Sequence, residues 1–309
     1  MIEIRTVREL TLDEPSGAAN SPHISAASSL VRIGETLFVI PDDELDIGIF
    51  PDDAKEHGHM VRILDGRLSS DIDVRKKQKP DLESAMLVPP FENHPHGGVM
   101  ALGSGSKPDR CTGALLPLDG EGAPAGHYIT VDLNPLYDRL QPDVGAVNIE
   151  GAAVVGDTVR LLQRGNDGDA MNGIVDLKLE AVLASLAAGE PWSPDAVTRI
   201  EPRSLGDLKG VTLCFADSSP LEDDRQVFAA SAEESHDGGD GAIAGSALGM
   251  MAPDGDVSFI DEVDKTIKIE GLTARIEDDA IQVLMVTDAD NPDTPSPLLE
   301  ARLPLDTGS

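Results

Sequence analysis

Short apolar runs, joined by turns that contain Gly or Asp, recur along the whole chain. A typical unit opens with two apolar runs around a tight turn, as in residues 30–40 around Gly34-Glu35 and residues 152–162 around Gly156-Asp157. This pattern predicts a β-hairpin. A third apolar stretch follows each hairpin after a polar loop, and most units add a fourth. The chain therefore reads as a series of similar units of three or four strands.

One short phrase precedes each hairpin and gives the units a common reference position. The clearest copies, at 81–85, 148–152 and 268–272, carry Glu at the third place, and two weaker copies carry Ser there. The intervals between successive copies run from 52 to 68 residues. The repeated position is occupied, in chain order, by Ser28, Glu83, Glu150, Ser218 and Glu270.

Four strands per unit at this period are typical of a β-propeller. We therefore predict an all-β fold, a five-bladed β-propeller in a single domain over residues 1–309, with short helices near 134–140 and 177–188. Six blades and a pair of β-sandwiches are the alternatives. The last unit has no fourth strand after Leu303, and the strand-like segment 2–12 belongs to no unit. We expect this N-terminal strand to complete the last blade and close the ring.

The amino-acid composition argues against several kinds of binding partner. The chain has 56 acidic and 24 basic residues, a formal net charge of −32. The negative electrostatic field of such a chain argues against binding nucleic acid through a broad basic surface and against docking on anionic lipid. No apolar run approaches the roughly 20 residues that span a bilayer, and the first residues lack the pattern of a signal segment. Cys111 and Cys214 have neither metal-binding nor redox spacing. We expect a cytoplasmic protein.

The repeated position predicts a metal site. In a propeller, matching positions of the innermost strands meet near one axis, so three carboxylates and two hydroxyls would converge. Buried like charges need compensation. Ca²⁺ suits this set, because it takes 6–8 oxygen ligands at about 2.3–2.6 Å, and the absence of His and Cys disfavours zinc. Alternatively, the Glu side chains accept hydrogen bonds from the neighbouring blade and the channel holds water.

Two resemblances bear on this site. The phrases at 79–83, 102–106, 148–153, 162–166 and 288–292 resemble an uncharacterised bacterial family of propeller-like proteins. The order Ser, Glu, Glu, Ser, Glu is similar to the central calcium site of the soluble calcium-activated nucleotidases (apyrases), which are five-bladed propellers. This resemblance implies that the five residues are calcium ligands. An apyrase needs many cations for a polyphosphate, and this chain has few near the phrases, which favours a smaller anionic or ester ligand.

Residues beside the repeated phrases are the candidates for substrate contacts and catalysis. Asp81 and Asp217 are the candidate proton acceptors for a water that calcium would orient. The candidate substrate-binding residues are Lys79, Ser104, Lys107, Asn148, Arg164 and Asn166. The sequence thus predicts a calcium-dependent hydrolase of a small phosphate or ester. The alternative is a non-catalytic binding or scaffold propeller in which the calcium only holds the blades together.

Overall fold

The computed structural model describes residues 1–165, 170–234, 241–288 and 291–305, and these form five antiparallel sheets arranged as the blades of a β-propeller. The all-β, five-bladed prediction is confirmed. Three strands precede the first blade: β1 (Arg5–Glu9), β2 (Thr11–Ser16) and β3 (Ser21–His23). Blade 1 consists of β4 (Ala27–Ile33), β5 (Thr36–Pro41), β6 (Asp46–Pro51) and β7 (His59–Arg62).

The next two blades contain four strands each. Blade 2 consists of β8 (Leu82–Val88), β9 (Gly98–Gly103), β10 (Thr112–Pro117) and β11 (Ile129–Asp132). Blade 3 consists of β12 (Ile149–Val155), β13 (Thr158–Gln163), β14 (Gly173–Lys178) and β15 (Val197–Pro202).

Blade 4 has an additional short strand at its edge, and blade 5 combines both ends of the chain. Blade 4 consists of β16 (Asp207–Leu208), β17 (Val211–Pro220), β18 (Gln226–Glu233), β19 (Ile243–Met251) and β20 (Val257–Glu262). Blade 5 consists of β21 (Gly271–Glu277), β22 (Ala280–Val286), β23 (Pro297–Pro304) and β1.

The strands β4, β8, β12, β17 and β21 form the inner ring. Each of them contacts the corresponding strand of the blade on either side, and β21 contacts β4, so the ring is complete. Aliphatic side chains fill the spaces between blades. The cluster between blades 2 and 3 also contains the only tryptophan, Trp192, which is fully buried. The low aromatic content is therefore compatible with a large core.

The N-terminal strand closes the ring as predicted. β1 pairs with β23 in antiparallel register, with Arg5 opposite Glu300 and Glu9 opposite Pro297. The predicted single strand 2–12 is divided at Leu10, whose side chain is fully buried, and β2 then pairs with β3 in a separate hairpin. Pairing β1 with β23 gives the blade its fourth strand and covers the edge that β23 would otherwise expose.

In the described part of the chain, three α-helices connect the strands. They are α1 (Ile72–Gln78), α2 (Asn134–Val144) and α3 (Leu179–Ala188). The sequence pattern predicted α2 and α3 but not α1, which precedes blade 2 and carries mostly charged residues. No helix in the described part of the chain is both long enough and apolar enough to cross a membrane.

Deletion of residues 1–9 tests the closure of the ring. It removes β1 together with the buried side chains of Ile2 and Ile4. We expect the free energy of unfolding to fall by at least about 4 kcal/mol, because truncating each buried isoleucine costs ~2–5 kcal/mol. Urea denaturation measures this loss. The exposed β1 substitution Glu9→Gln is the control and should change stability little; an unchanged urea midpoint after the deletion would contradict the closure.

Candidate functional site

The repeated residue occupies a β-bulge at the beginning of the inner strand in blades 1 to 3, whereas Glu270 directly precedes β21 of blade 5. In blade 2, Leu82 pairs with Gly103 and Ser84 pairs with Leu102, which leaves Glu83 as the extra residue. Glu150 has the same place in blade 3 and Ser28 in blade 1. A bulge turns one side chain out of the regular alternation of a strand. These bulges explain why the repeated residues share one orientation around the axis.

The fourth repeat departs from the sequence alignment. In blade 4, Phe215 pairs with Ala230 and Ser218 pairs with Phe228, so Ala216 and Asp217 together oppose the single residue Ala229. The regular ladder after the bulge assigns Asp217 to the pair with Ala229 and leaves Ala216 as the extra residue. The proposed ligand Ser218 is therefore two positions beyond the repeated position.

The residues that follow the bulges confirm this register. A Cβ atom placed on Gly271 would lie 2.5 Å from the Cα of Ser29, and one placed on Gly151 would lie 3.1 Å from the Cα of Asp217. The inner strands approach closely here, and side chains are small. We call this level of the channel the axial layer; it consists of Ser29, Ser84, Gly151, Asp217 and Gly271.

A cavity of about 580 Å³ lies at the end of the channel where the inner strands begin. We call it the proximal cavity. Four of the five predicted metal ligands line it: Ser28, Glu83, Glu150 and Glu270. Three of the predicted substrate-binding residues also line it: Lys79, Lys107 and Arg164. The repeat pattern therefore brought most of the candidate residues to one place.

The other candidates lie behind the cavity or beyond it. Ser104 is fully buried and donates to Asp81 Oδ2 at 2.5 Å, and Asn148 Nδ2 donates to Glu150 Oε1 at 2.7 Å. Both side chains support carboxylates and do not line the cavity. Ser218 lines a second cavity farther along the channel. Asn166 lies outside the described residues.

Lys79 compensates a group of carboxylates from two blades. Its ammonium is paired with Asp42 of blade 1, lies 2.8 Å from Asp81 Oδ1, and lies 3.9 Å from Glu83 Oε1. Burial alone would lower the pKa of Lys79, but the three carboxylates outweigh burial and raise this pKa above its usual value. The ammonium therefore remains charged and joins blades 1 and 2.

A second network joins blades 3, 4 and 5 through Glu233. This carboxylate is paired with Arg164, and it lies 3.4 Å from the ammonium of Lys268. Arg164 Nη1 also lies 3.3 Å from Glu150 Oε1, and Lys268 Nζ lies 2.8 Å from Glu270 Oε1. Each glutamate at the repeated position therefore has one cationic partner.

The compensation of charge is incomplete among the described residues. Four cations, Lys79, Arg110, Arg164 and Lys268, meet six carboxylates, so the two networks carry two excess negative charges. The six carboxylates are Asp42, Asp81, Glu83, Glu150, Glu233 and Glu270. The pKa of Glu83 reflects this excess of negative charge. Burial, together with Asp42, Asp81 and Glu150, raises the pKa of this carboxyl well above its usual value.

The two candidate proton acceptors are poorly placed for catalysis. Burial would raise the pKa of Asp81, but Lys79, Ser104 and Arg110 outweigh burial and hold this pKa below its ordinary value. Asp217 lies in the axial layer, only 1% exposed, and accepts from Ser29 Oγ at 3.1 Å and from the backbone N–H of Leu272 at 3.0 Å. Neither carboxyl lines the proximal cavity, so both serve the architecture of the channel.

Among the described Asp, Glu, His and Cys residues, one group brings three potential ligand atoms within 4.8 Å of one another: Asp42, Asp81 and Glu83. The ammonium of Lys79 already contacts all three carboxylates. The place where a metal ion would sit in this group is thus taken by a side-chain cation. A divalent ion in the proximal cavity would instead use oxygens that face the cavity.

Asp42 and Glu233 were missed by the sequence analysis, although a simple signal marks them. The second strand of each hairpin ends beside the beginning of the first. Asp42 follows β5, Arg164 follows β13, and Glu233 ends β18. Asp42 and Arg164 directly follow Pro41 and Gln163, which pair with the residues before the bulges, whereas Glu233 lies three residues beyond the corresponding Ala230. Arg164 pairs with Glu150, and the two acidic residues pair with the cations of the networks.

Two lysines at the rim of the proximal cavity differ from the buried cations. Lys76 and Lys107 are exposed, line the cavity, and form no ion pair with any described residue. Six of the 24 basic residues of this acidic chain line the same cavity: Lys76, Lys79, Lys107, Arg110, Arg164 and Lys268. The cavity is thus much less negative than the rest of the molecule.

Replacement of Lys79 tests the first network. Lys79→Met removes the charge that compensates Asp42 and Asp81, and breaking a buried ion pair from one side costs about 3–5 kcal/mol. We expect a loss of that size in the free energy of unfolding at pH 7.5. Lys76→Met, a change of the same side chain at the rim of the same cavity, should change stability by less than ~0.5 kcal/mol. Equal stability of the two variants would show that the network is unimportant.

The comparisons with known proteins identify a family and a fold. Residues 23–303 match the "Family of unknown function (DUF6929)". No curated protein matches the chain. Among solved structures, the glutaminyl cyclase of Myxococcus xanthus is similar with a TM-score of 0.50 and 9% identity, over 99% of this chain and 98% of that chain. A luciferin-regenerating enzyme gives a TM-score of 0.46 at 9% identity, over 92% and 93% of the two chains. At 9% identity the likeness to the glutaminyl cyclase concerns the fold alone, whereas the family match spans most of the sequence, and the chain belongs to the DUF6929 family.

Proposed function

We propose that the proximal cavity binds a divalent cation, Ca²⁺, together with a small anionic ligand, and that the protein is a calcium-dependent hydrolase of a small phosphate or ester. The observation that carries this proposal is the charge balance of the cavity. With all six carboxyl groups ionised, the two buried networks would carry two excess negative charges, and one divalent ion would neutralise both. Leaving such charges uncompensated in a partly buried site is costly.

The donor atoms at the cavity fit calcium. Glu83, Glu150, Glu270 and Ser28 line the cavity and offer only oxygen ligands, which hard cations prefer. Each of the three glutamates uses one oxygen toward its cationic partner. Ala216 cannot supply a ligand, so the set proposed here has four side chains, and waters or the anionic ligand would complete it.

The rim supports an anionic ligand. Lys76 and Lys107 are charged, exposed, and not engaged by another described side chain. Arg110 lies between them and the buried network, where its Nη1 donates to Asp81 Oδ2 at 2.7 Å. A phosphate or carboxylate group at the rim would bring opposite charge to these residues. A cavity lined by both signs of charge suits a cation and an anion bound side by side.

When bound, calcium would polarise a phosphoryl or carbonyl oxygen of the ligand. Lys107 and Arg110 would orient the anion, and the paired glutamates would hold the cation in place. Asp81 keeps Lys79 and Arg110 in position, because its low pKa makes it a poor proton acceptor. This assignment replaces the catalytic role that the sequence suggested for Asp81.

A non-catalytic scaffold is the second candidate, and one observation favours it. The ion pairs of the cavity connect different blades: Lys79 links blades 1 and 2, and Glu233 links blades 3 and 5 through blade 4. A central calcium would extend this clamp around the ring without any turnover. The two candidates differ in whether the bound ion leads to product.

Glu83→Gln tests calcium binding. The substitution removes one excess charge and keeps the size of the side chain. We expect calcium affinity, measured by isothermal titration calorimetry after chelator treatment, to fall at least ~10-fold, because loss of one charge-assisted ligand costs about 1.5–3 kcal/mol. Glu180→Gln, an exposed change on α3, is the control and should bind calcium like the parent. If neither the parent nor the variants bind calcium, the metal site does not exist.

A panel of p-nitrophenyl phosphate and p-nitrophenyl acetate tests hydrolysis. We expect calcium-dependent release of p-nitrophenol, and we expect Lys107→Met to lower kcat/KM for the phosphate by about 10-fold, since an ion pair to a charged group contributes about 1.5–3 kcal/mol. The acetate, which carries no charge, should be affected less. Calcium-dependent stabilisation in a thermal-shift assay without turnover of either compound would favour the scaffold.

A further inference from the structure

A second cavity, of about 200 Å³, lies farther along the channel, beyond the axial layer. We call it the distal cavity. Its walls come from residues one to three positions past the axial layer in all five inner strands, from Leu30 in β4 to Ala274 in β21. Leu87, one of the few exposed large apolar residues, also lines it and is 44% exposed. The distal cavity therefore opens to solvent at the end of the channel opposite the proximal cavity.

The chemistry of the distal cavity is unlike that of the proximal one. Alanine, valine, leucine and methionine side chains form most of its lining. Arg32 is the only ionisable lining residue, and its guanidinium is paired with Asp52 and donates to Gln282 Oε1 at 2.9 Å. A charged ligand would find no free partner of opposite sign, and burying an unpaired charge is very costly. The occupant must therefore be uncharged.

Three hydroxyls on one side of the distal cavity lack acceptors. Ser218, Ser219 and Thr273 are 3%, 7% and 7% exposed, respectively, and line the cavity on blades 4 and 5. Ser218 Oγ accepts from Gln226 Nε2 at 3.2 Å, and Ser219 Oγ accepts from the backbone N–H of Ala274 at 2.9 Å. None of the three O–H groups donates to a described residue. These O–H groups therefore remain free to donate to a molecule in the cavity.

We propose that the distal cavity binds a small uncharged molecule that carries one accepting oxygen, such as a ketone, an aldehyde or an alcohol. The oxygen would accept from the hydroxyls of blades 4 and 5, and the hydrocarbon part would contact the apolar walls of blades 1 to 3. The size is set by the volume: a cavity of ~150 Å³ holds benzene, so the ligand has about six to eight non-hydrogen atoms.

This site is independent of the one in the proximal cavity. The axial layer separates the two, because Asp217 bonds across it to Ser29 and to the backbone of Leu272. The close approach of the strands at Gly271 leaves no room for a ligand at that level. A molecule in the distal cavity therefore would not touch the cations or the glutamates of the proximal cavity.

Titration with cyclohexanone tests this proposal. Protein labelled with ¹³C at methionine and alanine methyl groups is titrated with cyclohexanone and, separately, with cyclohexylammonium and cyclopentanecarboxylate, which are charged compounds of similar size. We expect cyclohexanone to shift the methyl resonances of Met86 and Ala153, which line the cavity, with a Kd on the order of 1 mM. The charged compounds should leave these resonances unchanged.

Two substitutions locate the site. Thr273→Val keeps the shape and removes one donor, so the Kd for cyclohexanone should rise at least ~3-fold while the metal-free protein stays folded. Ala274→Leu reduces the volume of the cavity and should abolish binding. Glu83→Gln, in the proximal cavity, is the matched control and should leave the Kd unchanged.

Three outcomes would overturn the proposal. The first is the absence of any shift at Met86 and Ala153 up to the solubility limit of cyclohexanone, which would mean that water alone satisfies the hydroxyls. The second is equal binding of the neutral and charged compounds. The third is loss of binding in Glu83→Gln with no effect of Thr273→Val or Ala274→Leu.

Discussion

The compensation of buried carboxylates is the constraint on which the channel depends. Fivefold repetition places acidic side chains from different blades around one axis, where solvent screening is weak. The chain meets this constraint with its own cations, Lys79 and Lys268 from the loops before blades 2 and 5 and Arg164 from the end of a second strand. Because these cations also reach carboxylates of neighbouring blades, the same contacts that neutralise charge hold the blades together.

The same five inner strands present side chains of different chemistry at the two ends of the channel. The bulges at the beginning of the inner strands turn ionisable side chains toward the proximal cavity. Beyond the axial layer the strands return to regular pairing and present alanine, leucine and hydroxyl side chains. A polar, mixed-charge site and an apolar site thus lie only a few residues apart along each strand. The axial layer, with the buried Asp217, keeps them separate.

More of the fold than of the candidate site could be predicted from the sequence. Tight turns such as Gly34-Glu35 and the recurring Ile-Glu-Gly phrase define blades, and the unpaired first segment predicted the closure of the ring, because these features depend on local pattern and period. Prediction of the site residues required the register of the strand pairing, which depends on contacts between strands. In blade 4 the Ser-Ser pair after Asp217 looks like the repeated phrase, but the bulge falls before Ser218, and only the pairing of Phe215 with Ala230 and of Ser218 with Phe228 reveals this. Asp42, the partner of Lys79, follows the second strand of its hairpin, and the alignment of the repeated phrase did not include that position.

The pairing of β1 with β23 has a consequence for folding during synthesis on the ribosome. Arg5 finds its partner Glu300 only after the 294 residues between them have been synthesised. Until then the first segment has no strand to join, and the early blades expose an apolar flank that the last blade later covers. That flank stays uncovered during synthesis, and the ring closes only when β1 pairs with β23.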